Sequence, residues 1–181
     1  MNKIKFPSTS LTNLPLLFAL LVGLSSCGVY SFTGAKLSPG VETIVVENFN
    51  NNAAGGPPNM SRTLTEKMKE YYQQNSALKI ANTDGDLRLE GTIVGYTLTP
   101  EAPIASTSPN EPDRAALNRL TIRVKARYTN TKDDTQNFDQ EFSFFKNFPQ
   151  EQSLSDVENQ IVPIILDQIV LDIFSKSLAN W

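Results

Sequence analysis

No histidine occurs in this chain, and cysteine occurs once. The first absence removes imidazole general-base catalysis, histidine metal sites and Ser-His-Asp triads together. The second removes disulfides and multi-cysteine zinc sites. Carboxylate, lysine or tyrosine chemistry is left, and no paired-carboxylate motif or phosphate loop is present. Asp84-Gly85-Asp86 lacks the remaining ligands of an EF-hand loop and reads as a turn before a strand. Positive charge is in slight deficit, 16 Lys and Arg against 19 Asp and Glu, which argues against a nucleic-acid partner. Long apolar runs are missing too. The stretch 14–24 has 11 residues, interrupted by Pro15 and Gly23, against the ~20 needed to span a bilayer. These absences point to a non-enzyme with no metal and no cofactor.

The lone cysteine closes that apolar stretch, in Leu24-Ser25-Ser26-Cys27. Lys3 and Lys5 precede it, so the order is charged segment, short apolar segment, small residues: a secretory signal. Leu-small-small-Cys here resembles a bacterial lipoprotein signal. That resemblance implies removal of 1–26, acylation of Cys27 and attachment to a membrane. One acyl chain anchors only marginally, at ~0.8 kcal/mol per buried methylene, whereas three acyl chains hold firmly. Loss of Lys3 and Lys5 moves the net charge from −3 to −5 and leaves 155 residues, one ordinary domain. Gly28-Val29 follow the cysteine in place of acidic residues, so no added sorting tag is read.

Residues 27–40 read as a lipidated tether and 41–181 as a single domain. Thr43, Ile44, Val45 and Val46 mark a first strand, followed by an Asn/Ala/Gly/Pro loop over 50–59. Met60, Leu64, Met68 and Tyr71 or Tyr72 recur at helical spacing over 61–74, with Ser61 as the expected cap. A short strand is expected at 78–81 and a longer one at 86–99. Gly91 and Gly95 inside the latter predict a bulge or a close approach by a neighbour. Residues 100–116 hold Pro100, Pro103, Pro109 and Pro112 and form a long loop. Ser155-Asp156-Val157-Glu158 reads as a capping box opening a last helix. That helix is apolar over a wide arc, and Pro163 is expected to kink it. The predicted fold is α+β: a two-layer sandwich with two helices on one face of a mostly antiparallel four-stranded sheet.

Two segments alternate clearly. Leu120, Ile122, Val124, Ala126 and Tyr128 share one face, and Arg123, Lys125 and Arg127 the other, with Arg119 beyond them. Over 136–146, Phe138, Phe142 and Phe144 alternate with Asp139 and Glu141. A turn at Lys132-Asp133-Asp134, centred on residue 133, sets Val124 opposite Phe142 and Ile122 opposite Phe144. Both apolar faces then agree. The same register sets Arg127 opposite Asp139 and Lys125 opposite Glu141, and leaves Arg119 and Arg123 opposite Asn147 and Ser143. The four cations read either as a solvated strand face with cross-strand ion pairs or as candidate anion-binding residues, and in the second reading Arg119 and Arg123 come foremost, because the hairpin gives those two no acid.

Several short motifs appear in a characteristic order. They are Cys27-Gly28-Val29-Tyr30-Ser31-Phe32-Thr33-Gly34, Val45-Val46-Glu47-Asn48-Phe49 with its Asn/Ala-rich loop, Asp84-Gly85-Asp86-Leu87, Asn118-Arg119-Leu120-Thr121-Ile122, Leu154-Ser155-Asp156-Val157-Glu158 and Leu178-Ala179-Asn180-Trp181. In this order the chain resembles the lipopolysaccharide-assembly lipoproteins (LptE-like). The resemblance implies an outer-membrane lipoprotein on the periplasmic side. It also implies a small α/β sandwich that plugs an LptD-like β-barrel, and a part in placing lipopolysaccharide in the outer leaflet. Direct lipopolysaccharide binding through basic residues is implied as well. Two other readings compete: a tethered lipid carrier, which needs an apolar cavity, and a carboxylate hydrolase, for which no site is recognisable. Phe138, Phe142 and Phe144 facing an Ile-rich helix favour a filled core, and hence the assembly reading.

Overall fold

Alternation in the sequence becomes a sheet with one covered and one open face. The computed structural model describes residues 37–102 and 116–178. Cys27, the signal segment, residues 27–36 of the tether and 103–115 of the Pro-rich loop lie outside the described residues. The elements run β1 (Thr43–Val46), β2 (Asn50–Asn51), α1 (Met60–Asn75), β3 (Lys79–Ala81), β4 (Leu87–Glu101) and β5 (Leu117–Asn130). A 3-10 turn (Asp134–Gln136), β6 (Phe138–Pro149) and α2 (Leu154–Leu178) complete them.

The sheet is six-stranded and mixed, in the order β3-β1-β4-β5-β6, with β2 also paired to β4. This corrects the expectation of a mostly antiparallel four-stranded sheet. β1 pairs in parallel with both β3 and β4, and β2 in parallel with β4. The cause is the connection: the chain leaves β1, crosses over through α1 and returns in the same direction, which makes parallel neighbours. The two antiparallel pairings, β4–β5 and β5–β6, form the long half of the sheet.

The β5–β6 register is the one that parity demands, Val124 opposite Phe142 and Ile122 opposite Phe144. β4 carries the anticipated irregularity, a register shift between Ile93 and Gly95. Before it Leu87, Leu89 and Ile93 face the helices; after it Tyr96 and Leu98 lie opposite Ile122 and Leu120. The extra residue switches sequence parity; Tyr96 is half-buried against the core, whereas Leu98 beyond it is exposed. Gly91 supplies the close approach: a Cβ there would stand 2.3 Å from the Phe49 ring.

α1 buries Met60, Leu64, Thr65, Met68 and Tyr72, one stripe at three- and four-residue spacing. Its N-cap is Asn59, with no side-chain cap bond, and Ser61 lies inside the helix. α2 is capped by Ser153, two residues before the expected position. The Ser153 hydroxyl and backbone N–H both donate to the Asp156 carboxylate. α2 runs unbroken through Pro163 and buries Ile161, Ile165, Leu166, Ile169, Val170 and Ile173. Its apolar arc is wide because it packs against β6, β5 and α1 at once. Tyr72 donates to or accepts from Ser177 in this core, and burial raises its phenol pKa. Tyr128 stacks on Phe138 with ring centroids 5.4 Å apart.

Candidate functional site

The helix-free face of the sheet gathers the four candidate cations. β5 is the central strand of the antiparallel half, so its odd-numbered side chains reach acids on both flanking strands. Arg127 stands between Glu90 on β4 and Asp139 on β6, at 3.1 Å from each. Lys125 lies 3.2 Å from Asp139, and Arg123 lies 3.2 Å from Glu141. Arg119 lies 3.3 Å from Glu101, donates to the Asn147 side chain at 3.0 Å, and sits 4.0 Å above the Phe145 ring. At the β1 side Arg88 pairs with Glu47.

The premise that singled out Arg119 and Arg123 is thereby corrected: each has an acid. Two effects defeat the hairpin arithmetic. Arg123 and Lys125 reach diagonally, to the acid two residues along from the one directly opposite; such diagonal neighbours lie within range of long side chains. Arg119 and Arg127 also find acids on β4, a strand outside the hairpin. Glycine makes room for one of these contacts. A Cβ on Gly95 would stand 2.6 Å from Arg123 Nε, so the guanidinium lies over the bare backbone. Among the described residues, the ion pairs on this face join Arg88, Arg119, Arg123, Lys125 and Arg127 to Glu47, Glu90, Glu101, Asp139 and Glu141. Each of the four β5 cations already stands beside an acid, so the residual-charge argument for anion binding by Arg119 and Arg123 falls away.

The electrostatics agree with this pairing. The Arg127 guanidinium, and Lys125 after it, hold the Asp139 carboxyl below the usual carboxylate range, and Asp139 in turn raises Arg127. A separate knot sits at the β5–β6 turn. The Asp86 carboxylate accepts from the backbone N–H groups of Glu42 and Thr43 and from the Thr43 hydroxyl, at 2.9–3.1 Å, with Lys132 at 3.4 Å. These bonds, led by Glu42 N–H, lower its pKa to about 2. Asp84-Gly85-Asp86 is a turn, as its sequence indicates: Asp84 takes a φ of +49° and Asp86 ties β1 to that turn. Sequence reasoning missed this tie because the partners are 43 and 44 residues away.

At the other end, Tyr96 just past the bulge donates to Glu158 in the first turns of α2. Burial, then Glu158, push its phenol pKa up. Gly55 and Gly56 wrap its ring, and Gly56 takes a φ of +91° to do so. Among the described residues no group of His, Cys, Asp and Glu is placed to hold a metal ion, and no helix is long and apolar enough to cross a membrane.

A filled core beneath an open sheet face that carries ion pairs makes a small α+β domain. The chain belongs to the lipopolysaccharide-assembly family LptE, whose family model matches residues 41–177. No curated protein matches it significantly. Solved structures of similar fold include the hypothetical protein CT253 of Chlamydia trachomatis, at 6% identity and TM-score 0.49 over 77% of this chain and 99% of that one. An uncharacterized lipoprotein B of Nitrosomonas europaea matches at 18% identity and TM-score 0.40, over 76% and 86%. The rare lipoprotein B of Shewanella oneidensis matches at 10% and 0.39, over 72% and 90%. Family membership gives the chain a role in lipopolysaccharide assembly.

Proposed function

We propose that this chain is an outer-membrane lipoprotein, facing the periplasm, that plugs an LptD-like β-barrel and assists the passage of lipopolysaccharide to the outer leaflet. Residues 1–26 are the signal peptide, Cys27 carries the lipid, 27–40 are the tether and 41–181 the plug domain. The work is binding and assembly, without a reaction of its own. The family match over 41–177 supports the assembly role.

The observation that favours a plug over a lipid carrier is the state of the core. Ile44, Leu64, Met68, Leu89, Ile93, Ile122, Ile165 and Ile169 are fully buried and in one cluster that joins sheet and helices. A carrier needs an apolar chamber in that place. The cleft between the helix N-termini, lined by Met60, Val162 and Leu166 among others, has a volume of only about 100 Å³, below the ~300 Å³ of small ligand pockets.

The test is purification of the full-length lipoprotein from its native membrane in detergent, with identification of what accompanies it and mass spectrometry of its N-terminus. The expected result is an acylated Cys27 as first residue and a co-purifying large barrel protein. A mature chain starting elsewhere removes the anchor, and reproducible absence of any barrel removes the plug.

A further inference from the structure

We infer that the outer edge of β6 is a self-association surface, on which a second copy of this chain pairs its own β6 antiparallel about a two-fold axis at Ser143. The two sheets then continue into one. β6 ends the sheet, with β5 on its inner side and no described strand on its outer side. It runs 12 residues, Phe138–Pro149, in unbroken register with β5. Long regular edges normally carry a guard: a bulge, a proline, lysines or a short length. β3, at the opposite edge, has three residues and begins with Lys79. β6 has no register shift, and its proline is the last residue. Its acids Asp139 and Glu141 are drawn toward β5 by Lys125 and Arg123, each at 3.2 Å. Lys146 is the guard that remains.

The backbone fixes which residues of this edge offer bonds. Antiparallel ladders alternate bonded and unbonded pairs along each strand. The Gln150 N–H donates to the Ala116 carbonyl at 3.2 Å, one step past Leu117 beside Pro149. Even-numbered residues of β6 therefore bond inward to even-numbered residues of β5. The Thr131 N–H, donating to Asp86 at 2.9 Å, agrees: odd-numbered residues of β5 bond the other way, to β4. On β6 it follows that Asp139, Glu141, Ser143, Phe145 and Asn147 turn N–H and C=O outward. None of these groups has a partner among the described residues.

The order of side chains selects the occupant. On the helix side β6 reads Phe138, Gln140, Phe142, Phe144, Lys146, Phe148, the same in both directions about Ser143 except that Gln140 answers Lys146. A two-fold interface needs such self-complementarity. Turned about Ser143, Phe142 lies opposite Phe144 and Phe138 opposite Phe148 of the second copy, and aromatic cross-strand pairs stabilise. On the open face Asp139 meets Asn147, Glu141 meets Phe145 and Ser143 meets its own copy. Every outward N–H and C=O named above gains a partner, and no acid faces an acid. Other axes lose this match. At Phe142 or Phe144 the axis sets Lys146 opposite Phe138 or Phe142, and at Glu141 it sets that carboxylate against its own copy. The inference stands on this edge and does not depend on the barrel.

Cross-linking of the full-length chain in detergent tests it. Ser143 and Lys146 are both exposed. Facing residues of a bonded antiparallel pair have Cα atoms ~5.5 Å apart. Ser143→Cys should therefore give a covalent dimer with a short bis-maleimide. Lys146 would lie opposite Gln140, six residues and ~20 Å from its own copy. Lys146→Cys should give roughly tenfold less dimer, as should the parent chain, whose single thiol is Cys27. Light scattering should read twice the chain mass for the parent. Ser143→Pro removes an outward N–H and no bond to β5, and Ser143→Lys sets like charges at the axis. Both should keep the folded circular-dichroism spectrum and weaken association by roughly tenfold. Equal cross-linking at Ser143 and Lys146 would mean shared micelles only and overturns the inference. A monomeric parent overturns it too. In that case free exchange of the amides of Asp139, Glu141, Ser143, Phe145 and Asn147 shows an open edge, and their protection shows that another segment of the chain or another protein covers it.

Discussion

Gly91 shows what a single missing side chain does here. A Cβ at this position would stand 2.3 Å from Phe49 Cε1 and 2.8 Å from the Lys125 carbonyl oxygen. The ring, a side chain, can yield more readily than the β5 backbone. Gly91→Ala should therefore destabilise by ~1–3 kcal/mol, the usual range for overpacking, measured by urea unfolding. Phe49→Leu in the same chain should recover part of the loss, because the two changes share one space; strict additivity would show that the ring is not the obstacle. Asp86 acts through charge. Its folded pKa is about 2, below the ~3.9 of an unfolded aspartate. A depressed carboxylate stabilises fully above the unfolded value and loses that contribution as pH falls toward the folded one. The melting-temperature gap between the parent chain and Asp86→Asn should be largest above pH ~4 and narrow as pH falls toward 2. A gap constant across that window would sever the link to ionisation.

Among the elements, the β5–β6 hairpin was the most legible, for a physical reason. With period-two side chains, a one-residue slip turns every buried residue outward. Leu120 to Tyr128 and Phe138 to Phe144 allow one parity, and the turn over 131–137 is held by Asn130, whose side-chain oxygen accepts from Lys132 and Asp133 N–H. Phe142 is 8% exposed within this hairpin and touches Phe138 edge-on at 5.8 Å. Its replacement by Ala should cost ~3–5 kcal/mol in equilibrium denaturation, and a cost under 1 kcal/mol would show that the β6 edge is loosely held. The short strands were less legible. β1 offers four apolar or β-branched residues with no alternation, β2 is Asn50-Asn51, and neither states a partner or a direction. The helix start was misread by two residues because Ser153 and Ser155 are both followed by an acid near the third position. Asp156 settles it by answering Ser153.

At the scale of the whole molecule, the covered face was readable and the open face was not. Burial imposes a pattern that any register must respect, whereas surface cations choose among several acids within reach of long side chains. The stripe on β5 was visible as a stripe. Arg123 and Lys125 are paired by diagonal reach within the hairpin, and Arg119 by Glu101 on β4, whose alignment past the bulge no parity count within the hairpin supplies. The consequence is testable on one pair. Arg123 and Glu141 are 46% and 45% exposed and 3.2 Å apart, so solvent screens them and the pair contributes only ~0.2–1 kcal/mol. Arg123→Glu places a carboxylate beside Glu141 and should cost a similar small amount, more at low salt than at 0.5 M, where the Debye length falls well below the ~10 Å of 0.1 M. Adding Glu141→Arg restores opposite signs at the same diagonal, so stability should return to within ~0.5 kcal/mol. The comparison is made by urea unfolding at both ionic strengths. Recovery without salt dependence would assign the effect to packing of the long side chains over Gly95. No recovery at either salt would mean that Arg123 is held by that glycine slot and not by its charge. In either case the description of this face as an ion-pair lattice would give way to one in which Gly95 sets the place of Arg123.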